Sequence, residues 1–274
     1  MEIIPRPARG LRLRAAASAL AFTLVLTGVA ATPLQASVET TATSVAASLL
    51  SMTNADRVAR GLRPLRADTA LAWIARDRAT NLTTASTFSH SAAGQSLSSS
   101  LDQAGVQWYA WAEDLAYTVG GLRSATAAVI YRGWKASPGH WAALMSRTLN
   151  YVGFGVAVRS SDGRVFACAV FTESRDHTAP GARIDSVSRS GTTVTFAWHG
   201  YDAPLQTHWA GLRDFDVWYR VDVGAWKLIR DNTTATSIRL TSRVPGHRYW
   251  LMVRARDRAG NVGRTSAPLS AWVP

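Results

Sequence analysis

Residues 151–171 read YVGFGVAVRSSDGRVFACAVF, and this stretch decides the fold of the first half of the chain. Two apolar runs of strand length flank the polar segment RSSDGR. Its Asp-Gly pair is a strong signal for the turn of a β-hairpin. The stretch therefore predicts two antiparallel strands joined by a tight turn.

Helical periodicity precedes this hairpin. Apolar residues recur at helical spacing from residue 45 to about residue 60. A second helix is expected after Asp68, which is a good N-cap residue, and shorter helices are expected before Gly105 and from near Ser124. Residues 45–173 are therefore predicted to form an α+β domain with helices first and a hairpin last.

The chain beyond a predicted linker at residues 174–180 contains only short strand-like runs, each bounded by Gly, Asp, Asn or Pro. Strands at such regular spacing favour an all-β sandwich over residues 181–274. Alternation along YWLMVRA, which begins at residue 249, divides its side chains between two faces. The predicted core face carries Tyr249, Leu251, Val253 and Ala255, and the opposite face carries Trp250, Met252, Arg254 and Arg256.

The first 36 residues have the composition of a secretory signal. Four arginines precede an apolar run from Ala15 to Ala31, and small residues allow cleavage after Ala31 or Ala36. A retained membrane anchor is the alternative, although a run of about 17 residues is short for a spanning helix. Residues 37–44 are expected to be a flexible lead-in, and no integral membrane segment is expected after cleavage.

The charge of the chain points to an anionic environment. The formal net charge is +12, and residues 177–274 hold 13 basic and 7 acidic residues. A basic exported protein is held near anionic cell-wall polymers or lipid head groups by charge. Nucleic-acid binding is not expected, because no dense basic run interleaved with aromatic residues is present. Of the 30 basic residues only two are lysines, which indicates a high-GC bacterial source.

Cys168 is the single cysteine of the chain, so no intramolecular disulfide can form. Stability outside the cell must then come from core packing. Cys168 stands between two alanines in the middle of a predicted strand, where a buried small side chain is expected rather than a nucleophile.

Five stretches carry a family resemblance in order and spacing: LLSMTNADRVARGLRPLRAD from residue 49, FSH from residue 88, WAEDLAY from residue 111, WKASPGHWAALM from residue 134 and YVGFGVAV from residue 151. Together they resemble the bacterial branch of the CAP superfamily, also called the SCP domain, which includes cysteine-rich secretory and pathogenesis-related proteins. The resemblance implies an α-β-α sandwich around an antiparallel sheet. VRARDRAGNVG from residue 253 resembles a fibronectin type III domain. That resemblance implies that Trp198 is a core tryptophan and that Tyr249 is a corner tyrosine.

The CAP resemblance also implies a cleft lined by two histidines and acidic residues. It assigns His90, Glu113 and His140 to this cleft. Ser137 stands where many animal and plant members have a further glutamate, and Trp141 is expected to narrow the cleft rim.

These residue types permit two kinds of site. Two imidazoles and one carboxylate are enough for a zinc ion with one open position, so that His90, His140 and Glu113 are the candidate metal ligands. The same three side chains could instead hold the cleft together by hydrogen bonds without a metal. If Ser137 caps a helix, His140 lies in its first turn, where the helix dipole disfavours the imidazolium.

Three functions remain open from the sequence. The first is a secreted or cell-wall-associated module whose cleft binds a cell-wall or lipid ligand, with the sandwich domain as a spacer or adhesive unit. The second, less favoured, is a metal-dependent extracellular hydrolase that uses the same residues. The third is a surface interaction protein that acts through its C-terminal domain, with Trp250, Met252 and Arg254 as the contact strip.

Overall fold

The computed structural model describes residues 4–5 and 33–274, with side chains from residue 42 onward. The predicted signal segment, residues 1–36, therefore lies mostly outside the described residues. The chain divides into two compact units, of which the first ends at Ser174 and the second begins at Arg175. This division falls inside the predicted linker.

The first unit contains helices and one sheet. Its elements in chain order are β1 (Ile4–Pro5), α1 (Pro33–Ala59), β2 (Arg66–Ala67), α2 (Thr69–Thr84), α3 (Leu97–Gln103), β3 (Ala110–Thr118), α4 (Thr126–Ala136), α5 (Pro138–Leu144), β4 (Tyr151–Val158) and β5 (Val165–Glu173). The sheet order is β1-β3-β5-β4-β2, and all of its pairings are antiparallel except the short parallel pairing of β2 with β4.

Helices cover both faces of this sheet. Alternate residues of β4 point to opposite sides, so Val152, Phe154 and Val156 join the core formed with α1, α4 and α5. Between them, Gly153 and Gly155 face α2. This arrangement is the predicted α-β-α sandwich, and the hairpin of β4 and β5 is confirmed.

Two sequence expectations for the first unit need correction. Residues 37–44 were expected to be a flexible lead-in, but they lie inside α1, where Ala42 packs against the core together with Ala46. A further strand, β3, was not predicted because Glu113 and Asp114 interrupt its apolar pattern with residue types that are depleted in strands. The predicted cap of α2 is confirmed, since the Asp68 side chain accepts a hydrogen bond from the Leu71 amide.

The second unit is an all-β sandwich. Its strands are β6 (Gly181–Ser190), β7 (Thr193–Tyr201), β8 (Leu212–Val221), β9 (Lys227–Thr233), β10 (Ser237–Leu240), β11 (His247–Asp257) and β12 (Leu269–Val273). They form one sheet of order β10-β7-β6 and another of order β12-β11-β8-β9.

The core of this sandwich confirms the predicted faces. Tyr249, Leu251, Val253 and Ala255 are all buried, and so is Trp198. The Tyr249 hydroxyl donates a hydrogen bond to the Val244 carbonyl at 3.0 Å, which is the bond that a corner tyrosine makes to the backbone a few residues upstream.

Candidate functional site

Close packing of α2 on the sheet sets the geometry around Glu113. A Cβ on Gly153 would lie 2.1 Å or less from the backbone of Leu71 and Ala72, and one on Gly155 would lie equally close to Ala75 and Arg76. Only glycine permits such an approach between a strand and a helix. The approach packs the buried face of α2 on β4 and β5, from which the Arg78 side chain reaches Glu113 of β3.

Arg78 of α2 and Glu113 of β3 form an ion pair inside this interface. The guanidinium Nε donates to Oε1 of Glu113, and Nη2 donates to Oε2 at 3.0 Å. Both side chains are about 97% buried, with 3% of each exposed. Burial alone would raise the pKa of Glu113, but hydrogen bonds from His90 and Arg78 outweigh it and hold the pKa below its ordinary value. Glu113 is therefore an anion at neutral pH.

Arg78 also holds the loop that carries His90. Its Nη2 donates to the His90 carbonyl at 2.9 Å, and its Nη1 donates to the Gln95 carbonyl at 2.7 Å. One buried side chain thus joins α2, β3 and the loop before α3.

His90 is fixed at one ring nitrogen, and more than half of its side chain is exposed. Its Nδ1 lies 2.6 Å from Oε2 of Glu113, while 56% of the side chain is accessible to solvent. Because the carboxylate is ionised, it accepts the bond and Nδ1 carries the proton. The bond therefore orients the imidazole ring.

His140 lies at the third position of α5, as the sequence indicated. Ser137 is the N-cap residue by its backbone but makes no side-chain cap bond, and Pro138 occupies the first turn. The far end of α5 is anchored by Arg57, which donates from Nη1 to the carbonyls of Leu144 and Ser146.

Burial is the first cause that favours the neutral form of His140. It lowers the pKa of the half-buried ring, and the neighbouring charge of His90 lowers that pKa further. Both effects act in the same direction as the helix dipole on which the sequence prediction relied.

A hydrogen bond therefore joins His90 to Glu113, and His140 lies near enough to His90 for the charge of His90 to lower the pKa of His140. Trp141 is half-buried, with its ring under Arg60 at 4.8 Å and under Lys135 at 5.4 Å, and it also packs on the helical core. No contact between Trp141 and His90 or Glu113 is found among the described residues.

Arg78 is the site residue that sequence analysis missed. A signal was present, since Arg78 follows Leu71 and Ile74 at the spacing of the buried stripe of α2 and precedes Leu82 on it. A charged residue on such a stripe requires a buried partner, and Glu113 was the isolated acidic residue that required one.

Cys168 and Asp114 are buried titratable residues next to Glu113. Cys168 is fully buried, as predicted, and its Sγ donates to Oε1 of Glu113 at 3.4 Å. Burial raises the pKa of the Cys168 thiol well above its ordinary value, so the thiol remains protonated.

Asp114 points to the opposite face of β3, where neither carboxyl oxygen has a hydrogen-bond partner within the described chain. Burial, and then the charge of Glu113, raise the pKa of Asp114 to about 9.

The three predicted metal ligands do not converge in the way that a metal site requires. Within residues 42–274, a group of three or more potential ligand atoms within 4.8 Å of one another is found at Asp176, Asp202 and Asp257 in the second unit. Those carboxylates accept hydrogen bonds from the protein: Asp176 from the Ala210 amide, Asp202 from the Trp209 indole and Asp257 from Asn261.

Comparison with known proteins identifies the first unit. Residues 50–171 match the family model of the cysteine-rich secretory protein family, the CAP domain. The first unit therefore carries the match to a CAP domain. The match contains all elements from β2 to β4, the end of α1, most of β5, and the residues His90, Glu113 and His140.

Solved structures similar to the CAP domain come from bacteria. A cysteine-rich secretory protein of Staphylococcus aureus is 23% identical, with a TM-score of 0.38 over 47% of this chain and 38% of that chain. An extracellular protein with an SCP domain from Bacillus anthracis is 20% identical, with a TM-score of 0.44 over 53% of this chain and 45% of that one. This chain therefore covers less than half of each of those two proteins.

The second unit resembles fibronectin type III domains. The sixth such domain of a human fibronectin type III domain containing protein is 18% identical, with a TM-score of 0.29 over 36% of this chain and 90% of that one. No curated protein matches the sequence. Within the described residues, no helix combines the length and apolar character needed to cross a membrane.

Proposed function

We propose that this CAP-domain protein is exported and binds a ligand of the cell envelope through the cleft that contains His90, Glu113 and His140. The observation that carries the proposal is the bond between His90 Nδ1 and Glu113, which fixes an imidazole whose side chain is 56% exposed. Export is supported by the signal-like N-terminal sequence.

Each cleft residue has a chemical role in this proposal. Glu113, kept anionic by Arg78, orients the His90 ring and sets its tautomer. The exposed part of the His90 ring then forms a hydrogen bond with the ligand. His140 supplies a second imidazole in the neutral state.

The ligand that suits these groups is rich in hydroxyls. A neutral imidazole accepts one hydrogen bond and donates another, which matches the donor and acceptor character of sugar hydroxyl groups. We therefore propose an envelope glycan as the ligand class, ahead of a lipid or a peptide.

The alternative is a metal-dependent hydrolase with zinc held by His90, His140 and Glu113. Both oxygens of Glu113 are engaged by Arg78, and Oε2 is also bound to His90. A divalent cation at this carboxylate would lie beside a buried guanidinium of the same charge sign, which is unfavourable. The remaining donors are two imidazoles, and two imidazoles alone do not make up the three protein ligands of a catalytic zinc site. The cleft residues thus favour the ligand-binding proposal.

Isothermal titration calorimetry of the full chain with soluble peptidoglycan fragments tests this function. Wild-type protein should bind, and His90→Ala should weaken binding by about tenfold, because one well-oriented hydrogen bond is lost. The matched control is His177→Ala, which removes an exposed histidine outside the cleft and should leave binding unchanged. Absence of wild-type binding, or equal affinity in His90→Ala, contradicts the proposal.

Metal analysis of the same proteins tests the alternative. One equivalent of zinc in the wild type, lost in both His90→Ala and His140→Ala, would replace the ligand-binding proposal with the metal site. Zinc that is absent, or retained by both variants, rules out these ligands.

A further inference from the structure

One face of the second unit carries an alternating array of tryptophans and arginines. Residues directly opposite each other on antiparallel strands share a face, and the register of β8, β11 and β12 places Arg220 opposite Trp250, Trp218 opposite Met252, and Trp272 opposite Arg248. The core residues of β11 point the other way. We refer to the following residues as the tryptophan–arginine face: Trp218, Arg220, Trp226, Arg248, Trp250 and Trp272.

The arginines of this face are stacked on indole rings. The Arg220 guanidinium lies between two tryptophans, 4.7 Å from the Trp226 ring centroid and 5.3 Å from that of Trp250. Arg248 lies 6.0 Å from the Trp250 centroid. Stacking uses the flat faces of a guanidinium and leaves its N–H groups, which lie in the plane, available for hydrogen bonds.

The two ends of this sheet differ in how their arginine side chains are paired. Towards the end of β11, Arg254 and Arg256 pair with Asp216 and Asp214 at 2.7 Å each, and Arg256 also contacts Asp231. That end is a closed network of ion pairs.

At the other end, neither Arg220 nor Arg248 forms a side-chain salt bridge within the described chain, although the charge of Arg248 contributes to lowering the pKa of Asp222. Arg220 is half-buried, pairs with no acid in the described chain, and its Nε is buried without an acceptor. Arg248 donates to the Ser270 hydroxyl at 3.2 Å. The nearby Asp222 carboxylate is hydrogen-bonded to the His247 ring through Oδ2, and its Oδ1 accepts a hydrogen bond from the backbone amide of Arg248.

An anion is the ligand that such a pair of arginines would bind best. Partial burial removes water from a guanidinium, and a carboxylate from outside restores the lost hydrogen bonds with charge assistance. The surplus of 13 basic over 7 acidic residues in residues 177–274 favours a polyanion further.

The tryptophans indicate that this polyanion is a carbohydrate. Trp272 stands beside Arg248 with 47% of its surface exposed. An exposed indole next to cationic hydrogen-bond donors offers a flat apolar surface to the C–H face of a sugar ring, while the donors reach its substituents.

We propose that the tryptophan–arginine face binds an acidic polysaccharide, with the carboxylates of its uronic acid units held by Arg220 and Arg248 and a sugar ring stacked on Trp272. This site is distinct from the cleft of the first unit and does not depend on the function proposed there.

Binding of the full chain to polygalacturonate, measured by affinity electrophoresis and calorimetry, tests the site. Wild-type protein should bind, and Arg220→Gln and Arg248→Gln should each reduce affinity by about fivefold, with a weaker salt dependence than the wild type. The matched control is Arg239→Gln, which removes the same charge from an exposed position on the other sheet of the same unit and should change affinity by less than about twofold. Near-ultraviolet circular dichroism confirms that each variant is folded.

Two further comparisons separate sugar recognition from charge alone. Trp272→Ala should weaken binding to polygalacturonate but not any residual binding to polyglutamate, a carboxylate polymer without sugar rings. Phosphatidylglycerol vesicles test a lipid surface as the alternative partner.

Several outcomes would overturn the proposal. These are no binding of polygalacturonate, an equal loss in Arg239→Gln and Arg220→Gln, or binding of polyglutamate or the vesicles as tight as that of polygalacturonate. Failure here leaves the cleft proposal standing, because His90→Ala is read out on a different ligand.

Discussion

At the scale of single residues, Asp114 is a buried acid whose ionisation opposes folding. Its carboxyl has no hydrogen-bond partner in the described chain, and burial together with Glu113 raises its pKa from 3.8 to about 9. A carboxyl group whose pKa is raised on folding is harder to ionise in the folded protein than in the unfolded chain. It therefore contributes most to the free energy of unfolding at low pH, where the group is protonated in both states. That stability is complete below the unfolded pKa and is lost as the pH rises towards the folded pKa.

Asp114→Asn should therefore stabilise the protein in a pH-dependent way. At pH 7 the gain in the free energy of unfolding is expected to be up to about 4 kcal/mol, since each unit of pKa shift is worth about 1.4 kcal/mol, and it should vanish near pH 4. Urea denaturation at pH 4, 6 and 8 measures it. Asp77→Asn, at an exposed helix position, is the control and should show no such trend. A gain that does not change with pH would contradict the assignment.

The ion pair of Arg78 and Glu113 permits a second prediction for individual residues. Arg78→Met leaves Glu113 buried without its cation and should reduce the free energy of unfolding by about 3–5 kcal/mol. The double variant Arg78→Met/Glu113→Gln should recover part of this loss, because no charge then remains buried. Arg132→Met, the same change on the exposed side of α4, should cost less than about 0.5 kcal/mol. A loss below 1 kcal/mol in Arg78→Met would show that water reaches Glu113.

At the scale of elements, the contact between α2 and β4 is set by two glycines. Gly153→Ala or Gly155→Ala would place a methyl group within 2.1 Å of helix backbone, which cannot move aside as a flexible side chain can. We expect either change to cost several kcal/mol or to prevent folding. Gly133→Ala in α4 meets nothing within 4 Å and should stabilise the protein by about 0.5–1 kcal/mol. Thermal unfolding of the three variants measures this, and similar behaviour of all three would refute the close packing.

The elements also show what the sequence could predict. The hairpin was predictable because its turn residues and both apolar runs are local signals, and Gly163 adopts the positive φ of 69° that such turns require. β3 was not, because its charged residues are explained only by partners that lie 35 residues upstream and on other elements. The positions of His90 and Glu113 came from the family resemblance, whereas their bond and its support by Arg78 are tertiary facts that no local pattern contains.

At the scale of the whole molecule, each unit has a hydrophobic core of its own. The core of the second unit is built from residues between Ile184 and Val273, and it contains Trp198 and Tyr249. We therefore expect a fragment of residues 175–274 to fold alone, with a cooperative denaturation curve and a dispersed proton NMR spectrum. The near-ultraviolet circular dichroism spectrum of the fragment should match the part of the full-chain spectrum that comes from the tryptophans of residues 175–274. A fragment without cooperative unfolding would show that the sandwich depends on the CAP domain.

The Arg78 side chain links parts of the fold through hydrogen bonds, which reducing conditions do not break. It joins three separated segments of the CAP domain, which is the task that a disulfide performs in many secreted proteins, yet the chain has one cysteine and that thiol is buried. A cross-link made of hydrogen bonds forms and re-forms without an oxidant. Refolding of this protein should therefore proceed at the same rate and to the same yield with dithiothreitol as without it, and it should not depend on a thiol oxidase.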